Sequence, residues 1–418
     1  MNPTHSDALV LGGGVIGLSC ALYLLKSGAS VRVLEQGTAG CGSSHGNCGT
    51  LTPSHAAPLA MPGMIGQALR WMLKRDAPLY VNPKPDLARL RWLLGFARRC
   101  NWRDFTRAAD ARAAILQRSR GLIEELVGSE GLDCEFANGG ALSVYRDRRA
   151  MEADNWHVEL LERLGIGVVR KTGDEVMGME PTLLPGVVGG IYHPGDARLR
   201  PDRYVAELAR RVRELGGVIE EGARIEGFAT GTAGIDKVDT SRGAFTGDRV
   251  VLALGAWSPL LARTLGLHLP MQPGKGYSIT WTRPELCPRL PLTLSEASVC
   301  VTSWDSGFRL GSTMEFSGYD SRLNQRRLGA LRRGAARYLR QPEGPELREE
   351  WWGWRPMSVD EVPIIGPSAR WANLMLATGH GMMGMSMSAA TGELVAALCA
   401  GPAPALDPTP YAPSRFGL

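Results

Sequence analysis

A chain of 418 residues with 44% hydrophobic and 21% charged residues has the composition of a folded globular protein. At about 150 residues per domain this length predicts two or three domains, with a core that needs no disulfide or metal staple, and it excludes a disordered chain. Lys and Arg total 47 against 42 Asp and Glu, a net charge of +5 that is too small and too dispersed to predict a nucleic-acid partner; the arginines between Arg89 and Arg120 sit at helical spacing and are read as solvated helix faces.

The first element is the apolar run from Ala8 to Leu11, read as a buried strand. Gly12-Gly-Gly-Val-Ile-Gly17 follows at once. Leu18 to Lys26 then reads as a helix ended by Gly28, and Val31 to Leu34 as a second strand closing with Glu35. Together these make a β-α-β unit of about 30 residues. The stretch from Ala8 to Leu25 is apolar. However, no Lys or Arg precedes it and three glycines interrupt it, so neither a cleavable leader nor a membrane span is expected.

A Gly/Ser-rich loop runs from Gly37 to Thr50, and residues 56 to 130 read as mostly helical. Gly140 to Tyr145 and Gly190 to His193 are predicted strands. Pro201 to Leu215 is a predicted helix with Pro in its first turn. Val218 to Phe228 and Arg249 to Leu254 are strands, and residues 270 to 316 alternate as in an antiparallel sheet. Ser321 to Leu339 reads as a helix, Asn373 to Ala377 as a strand and Met385 to Cys399 as a helix. The Pro-rich tail from Gly401 reads as an irregular end. Parallel-type signals thus lie at both ends and in the middle, with antiparallel signals inserted. The fold class is α/β with mixed α+β character: a nucleotide-binding domain over 1–55, 190–265 and 356–418, and a second domain over 56–189 and 266–355.

The eight cysteines include no Cys-x-x-Cys pair, so no zinc site, no other metal site and no dithiol motif is expected, and a reduced, cytoplasmic setting is. Chemistry concentrates at the glycines. Gly12 allows a tight turn, Gly14 lets a pyrophosphate approach the backbone, and Gly17 lets the helix begun by Val15 and Ile16 pack against the strand. The helix N-terminus offers N–H groups to phosphate, and Glu35, followed by Gln36, offers acceptors to ribose hydroxyls. This does not separate FAD from NAD. A second strand-to-helix turn, Gly379-His380-Gly381-Met382-Met383-Gly384, supplies another helix N-terminus, suited to negative charge on a reduced flavin.

These motifs occur together with the Ser43-Ser44…Asn47-x-Gly49 loop, Leu254-Gly-Ala-Trp-Ser258 and Trp351-x-Gly353-x-Arg355-Pro356. The chain therefore resembles the FAD-dependent D-amino acid oxidase superfamily over essentially its whole length. Pro273-Gly-Lys-Gly-Tyr-Ser278 and Arg355-Pro-Met-Ser-Val-Asp360 bring it close to the bacterial D-amino acid dehydrogenases. Ser44-His-Gly-Asn-Cys-Gly-Thr-Leu-Thr-Pro53 and Met385-Ser-Met-Ser-Ala-Ala-Thr-Gly392 look more like the dehydrogenases that oxidise cis-4-hydroxy-D-proline.

The resemblance implies a Rossmann-like FAD domain of the glutathione-reductase type, non-covalent FAD, and hydride transfer from the substrate Cα to flavin N5. It implies flavin contacts from Ser43, Ser44, Asn47, Cys48, Gly49, Ile225, Gly255, Ala256 and Trp257. Arg355 matches the carboxylate-binding arginine, and Lys275, Tyr277 and His45 are the other catalytic-site candidates. Tyr145 and Tyr192 on the substrate strands are weaker ones. His380 is read as part of the turn, not as a base. The implied reaction is oxidation of a D-amino acid, with cis-4-hydroxy-D-proline or D-proline preferred and electrons passed to a quinone or other acceptor. The alternatives are a general D-amino acid dehydrogenase and a sarcosine- or glycine-type oxidase making peroxide. A non-catalytic FAD-binding subunit is a reading of another class, and Arg355 argues against it. The apolar and basic stretch from Pro62 to Arg75, with Met64, Ile65, Leu69 and Leu73 beside Arg70, Lys74 and Arg75, reads either as a core-facing helix or lid, or as peripheral contact with the inner membrane. The oligomeric state, homomeric or heteromeric, stays open.

Overall fold

Ala8 to Leu11 are four consecutive residues with no exposed face, which places the opening strand, His5–Leu11, inside a sheet. The computed structural model describes residues 4–72, 79–232, 234–401 and 403–418 and puts parallel neighbours on both sides of that strand. Val10 lies opposite Val33 of Val31–Glu35 and opposite Val251 of Gly243–Leu252. Val218–Glu221 extends the sheet on one side and Leu374–Thr378 on the other, both parallel. Ile364–Pro367 adds an antiparallel edge, while Ile225–Thr230 and Ile235–Thr240 form a meander leading into Gly243–Leu252. The strand expected from Val218 to Phe228 is two strands, because the chain turns at Gly222.

Helices Val15–Lys26, Pro201–Glu214 and Gly384–Ala400 cover one face of this sheet. Leu18, Leu22, Val205, Leu208, Met387 and Val395 form the core between them. Close approach explains the glycine at 17: a methyl group there would collide with the carbonyl oxygen of Gly12. Gly12 itself has φ +105°, a conformation open to glycine.

The second sheet runs in the order Leu347–Ser358, Met271–Trp281, Gly307–Phe316, Val299–Trp304, Leu292–Leu294, Ala141–Tyr145, Gly189–His193 and Val169–Thr172. Its pairings are antiparallel except where Leu292–Leu294 meets Ala141–Tyr145 and where the short strand Leu79–Val81 joins Gly307–Phe316. Helix Gln325–Ala336 buries Leu328 and Leu331 against Ile279 and Leu310 on one face. Gly189–His193, which straddles residue 190, belongs by its pairing to this second sheet, and Leu347–Ser358 stays in it past residue 356. A small sheet of Thr50–Leu51, Ala197–Arg198 and Ala137–Asn138 ties the two halves together.

Among the described residues between 56 and 130 lie three helices, Met64–Met72, Leu87–Arg99 and Trp102–Ser129, the last two capped by the Asp86 and Asn101 side chains. The arginines of this region are not all solvated, as the spacing predicts. Arg89 and Arg112 are buried, and Arg112 donates to the carbonyls of His55, Ala56 and Glu361, which no periodicity foretells. Ile65 and Leu69 stay exposed; Leu73, Lys74 and Arg75 lie outside the described residues. The tail contains two short 3-10 turns and is docked: the buried Tyr411 donates to the Ala111 carbonyl at 2.7 Å, and Arg415 pairs with Asp360 at 2.9 Å. Among the described residues, no helix is long and apolar enough to cross a membrane.

Candidate active site

A cavity of about 750 Å³ separates the two sheets, within the range of ligand sites. One end is built by the opening β-α-β unit. Gly12, Gly14, Val15, Ile16, Glu35 and Gln36 line it, and helix Val15–Lys26 starts from Gly14 with no side-chain cap of its own. Its first N–H, at Val15, donates to Ser44 Oγ at 3.1 Å, which ties the loop after the second strand to the helix end. The Glu35 carboxylate accepts from the Gly13 N–H at 2.8 Å and the Gly37 N–H at 2.9 Å. That fixes the carboxylate beside the turn and leaves acceptor lone pairs over.

The same cavity receives a second helix end. His380, Gly381, Met382, Met383 and Gly384 line it, and helix Gly384–Ala400 begins without a side-chain cap. His380 is buried, its Nε2 bonded to Thr391 Oγ1 at 2.9 Å, and burial pushes its pKa down to about 3. It is a neutral part of the turn. Ser386 accepts from the Thr52 N–H and donates to the Thr50 carbonyl, holding this helix against the loop's end.

Arg355 stands on the cavity-side face of Leu347–Ser358. It can lie there because its neighbours on the adjacent strand are Gly274 and Gly276; a methyl group at 276 would come within 2.5 Å of the guanidinium carbon. Arg355 Nη1 donates to the Thr313 carbonyl, and among the described residues no carboxylate pairs with Arg355. Its electrostatic neighbours are the thiols of Cys48 and Cys300. Ser43, Asn47 and Cys48 reach the cavity from the loop, which Arg309 clamps through the His45 and Asn47 carbonyls at 2.9 and 2.6 Å. Ile225, Gly255 and Trp257 complete the dinucleotide end. Trp354 packs edge-on to Trp257, Trp352 and Tyr319, and its Nε1 is buried without a hydrogen-bond partner.

Several expected residues stand elsewhere. Gly17, Gly49, Ala256 and Gly379 shape the backbone behind the wall without lining the cavity. His45 is not in the wall, because Nε2 pairs with Glu349 at 3.0 Å. Lys275 is buried outside the cavity; Nζ donates to the Arg322 carbonyl and lies 5.0 Å from the Trp352 ring. Tyr277 is among the lining residues, but its ring belongs to the core beneath helix Gln325–Ala336 and its hydroxyl donates to Glu315 at 3.1 Å. The reason is strand parity: Gly276 presents its face to Arg355, so residues 275 and 277 face the other way. Tyr192 lies outside the cavity too, its hydroxyl given to the Gly139 carbonyl.

Sequence reasoning missed the polar far wall. Ser143, Asp154, His157, Thr293, Ser295 and Cys300 line it, with Tyr145 donating to Asp154 Oδ2 at 2.6 Å. Burial holds His157 in this wall and His193 behind it below the usual imidazole pKa, His193 down to about 3. Burial pushes the Asp196 carboxyl up to about 7 despite the Ser54 hydroxyl at 2.6 Å. These residues carry no motif; they converge from separate strands and helices.

Two uncapped helix ends, a glycine cradle and an orphaned indole N–H in one cavity suit a phosphate-bearing dinucleotide with a flat ring. Residues 7–398 match the family model described as DAO, FAD dependent oxidoreductase. A D-amino acid dehydrogenase of Granulibacter bethesdensis is 32% identical over 98% of this chain and 99% of its own length. A D-amino acid dehydrogenase of Chromohalobacter salexigens is likewise 32% identical, over 98% and 99%. The glycine oxidase structure from Geobacillus kaustophilus superposes with a TM-score of 0.78 at 24% identity, covering 98% of both chains, and so shares the fold. The chain therefore belongs to the DAO family of FAD-dependent oxidoreductases, in its D-amino acid dehydrogenase branch, with FAD as its cofactor.

Proposed function

We propose that the protein dehydrogenates a D-amino acid at Cα, and that Arg355 binds the substrate carboxylate. The observation that carries this is a guanidinium in the cavity wall with no carboxylate beside it among the described residues. FAD, when bound, supplies the two-electron acceptor for the Cα hydride. The chain's residues do the positioning. Arg355 holds the carboxylate, the far wall orients the side chain, and the Gly384–Ala400 helix end faces the site with its partial positive charge. His380 is neutral and bonded to Thr391, so it is not the base of the reaction; hydride transfer requires the substrate amine in its neutral form.

Both curated relatives are named D-amino acid dehydrogenase, which favours a broad substrate range over a single imino acid. One observation supports the narrower preference for cis-4-hydroxy-D-proline: Ser143, Thr293, Ser295 and the Tyr145–Asp154 pair give the far wall partners for a ring hydroxyl. The proposal includes the division of labour given by the sequence, flavin on 1–55, 190–265 and 356–418 and substrate on 56–189 and 266–355, with Gly189–His193 on the substrate side. It also includes transfer to a quinone at an anionic membrane surface, supported by exposed Ile65 and Leu69 on helix Met64–Met72 and exposed Leu87, Leu90 and Leu94 on helix Leu87–Arg99.

The test is anaerobic titration of the FAD-loaded protein with D-alanine, D-methionine, D-proline, cis-4-hydroxy-D-proline and their L-enantiomers. Bleaching of the oxidised flavin band by D-isomers alone is expected. Fastest bleaching by the cyclic pair establishes the narrow preference, and no bleaching by any D-isomer overturns the reading. Dye reduction without matching peroxide separates a dehydrogenase from an oxidase. Co-sedimentation with phosphatidylglycerol vesicles but not phosphatidylcholine ones tests the membrane contact.

A further inference from the structure

Cys48 and Cys300 lie 252 positions apart in the chain yet share one spot in the cavity wall. The reason is a missing side chain. Cys300 on Val299–Trp304 lies directly opposite Gly311 on Gly307–Phe316. Opposite residues of an antiparallel pair point their side chains to the same face, about 5 Å apart. A methyl group at 311 would collide with Cys48 Sγ, so the Cys48 sulfur fills the place that the cross-strand partner of Cys300 would occupy. The two sulfurs are thereby neighbours in the cavity wall, both are half-buried, and Arg355 is beside them.

We propose that Cys48 and Cys300 form a peroxide-sensitive modification site, a thiol pair that closes as a disulfide and arrests the active site. The Cys48 thiolate attacks one oxygen of hydrogen peroxide; the O–O bond breaks, and the departing hydroxide takes up a proton as water. The Cys300 thiol then attacks the resulting sulfenic sulfur and forms the S–S bond as the S–O bond breaks; the proton leaving Cys300 joins the departing hydroxide as a second water. Two thiols lose two electrons and two protons, and one peroxide becomes two waters. The hydrogen bond from Cys300, with Arg309 and Arg355 nearby, holds the Cys48 thiol below its ordinary pKa, which suits it to the first attack. An S–S bond of about 2.05 Å is far shorter than the contact of two thiols. Closure therefore pulls the Ser43–Gly49 loop onto the substrate sheet beside Arg355, and a shift on the order of 1 Å in such a site costs about 100-fold in rate.

The activity readout rests on the dehydrogenase reading; the bond itself does not. The FAD-loaded full chain is treated with increments of hydrogen peroxide, digested without reduction and analysed by mass spectrometry, with dye reduction by D-amino acid measured in parallel. A linked Cys48–Cys300 peptide is expected, with dye reduction down about tenfold or more and restored by dithiothreitol. Cys300→Ser loses the restorable component of inhibition, while Cys41→Ser, which removes the exposed thiol of the same loop, responds as the parent does. Failure to find the linked peptide, pairing of Cys48 with Cys41, or a linked peptide with undiminished dye reduction overturns the proposal. If no amino acid reduces the flavin, the dehydrogenase reading falls while the linked peptide still decides whether the bond forms.

Discussion

Replacing Arg355 by Ala removes a guanidinium from the cavity wall beside the two thiols, and its effect can be sized from the geometry. Arg355 spends Nη1 on the Thr313 carbonyl and has no carboxylate partner within the described chain, so a substrate carboxylate meets a fork with donors to spare. Two charge-assisted hydrogen bonds at about 1.5–3 kcal/mol each are at stake, roughly 3–6 kcal/mol in all. At 1.36 kcal/mol per decade this lowers kcat/KM by about 10²- to 10⁴-fold. Arg355→Lys keeps the charge but not the fork and recovers only part of the loss. The assay is anaerobic single-turnover flavin reduction against D-amino acid concentration, with the flavin spectrum and content confirming that FAD is still bound. A fully FAD-loaded Arg355→Ala protein with kcat/KM within about fivefold of the parent would falsify the assignment.

Three further outcomes follow from the packing. Gly17→Ala drives a methyl group into the Gly12 carbonyl and is expected to cost about 1–3 kcal/mol and to purify with little flavin; an unchanged Tm and full flavin content would contradict the close-approach argument. Glu35→Ala frees the Gly13 and Gly37 N–H groups and is expected to weaken FAD binding about tenfold in a titration of the stripped protein, whereas equal affinity removes Glu35 from the ribose end. Asp196, with its folded pKa raised from 3.8 to about 7, is stabilising as the neutral acid, so its contribution falls as pH rises from about 4 to about 7. Buried His193, depressed to about 3, works in the opposite sense and loses stability as pH falls below the unfolded imidazole value. Thermal melts of Asp196→Asn and parent isolate the carboxyl: the parent loses Tm relative to the variant between pH 5 and pH 7.5, and parallel curves would refute the burial argument.

The dinucleotide end was legible because sterics speak through single residue types: a turn at Gly12, a contact at Gly17 and an acid closing the next strand each demand what stands there. The Gly379–Gly384 turn was readable for the same reason. The place of Arg355 in the cavity wall was legible from its motif, and its neighbours 274 and 276 explain why the guanidinium has room. Lys275 lies outside the cavity, and Tyr277 lines it while packing its ring in the core, because spacing gives alternation along a strand without saying which face meets the cavity. His45 turned on Glu349, more than 300 residues away in the chain, and the far wall on His157, Asp154 and Thr293, which belong to elements with no common pattern. The Cys48–Cys300 contact is invisible to a search for Cys-x-x-Cys because the fold, not the spacing, brings the sulfurs together.

The strand order of the first sheet has a consequence for biogenesis. His5–Leu11 and Leu374–Thr378 both flank Gly243–Leu252, and the cavity wall runs from Gly12 to Ser386. Strand His5–Leu11 therefore waits for Leu374–Thr378, more than 350 positions later in the chain, before their sheet is complete. Pairings across such sequence distances are slow to form and leave unpaired edges in the meantime. The glycine cradle at Gly12 is accordingly half a site until the His380–Ser386 segment has docked, and flavin binding is expected to follow that step.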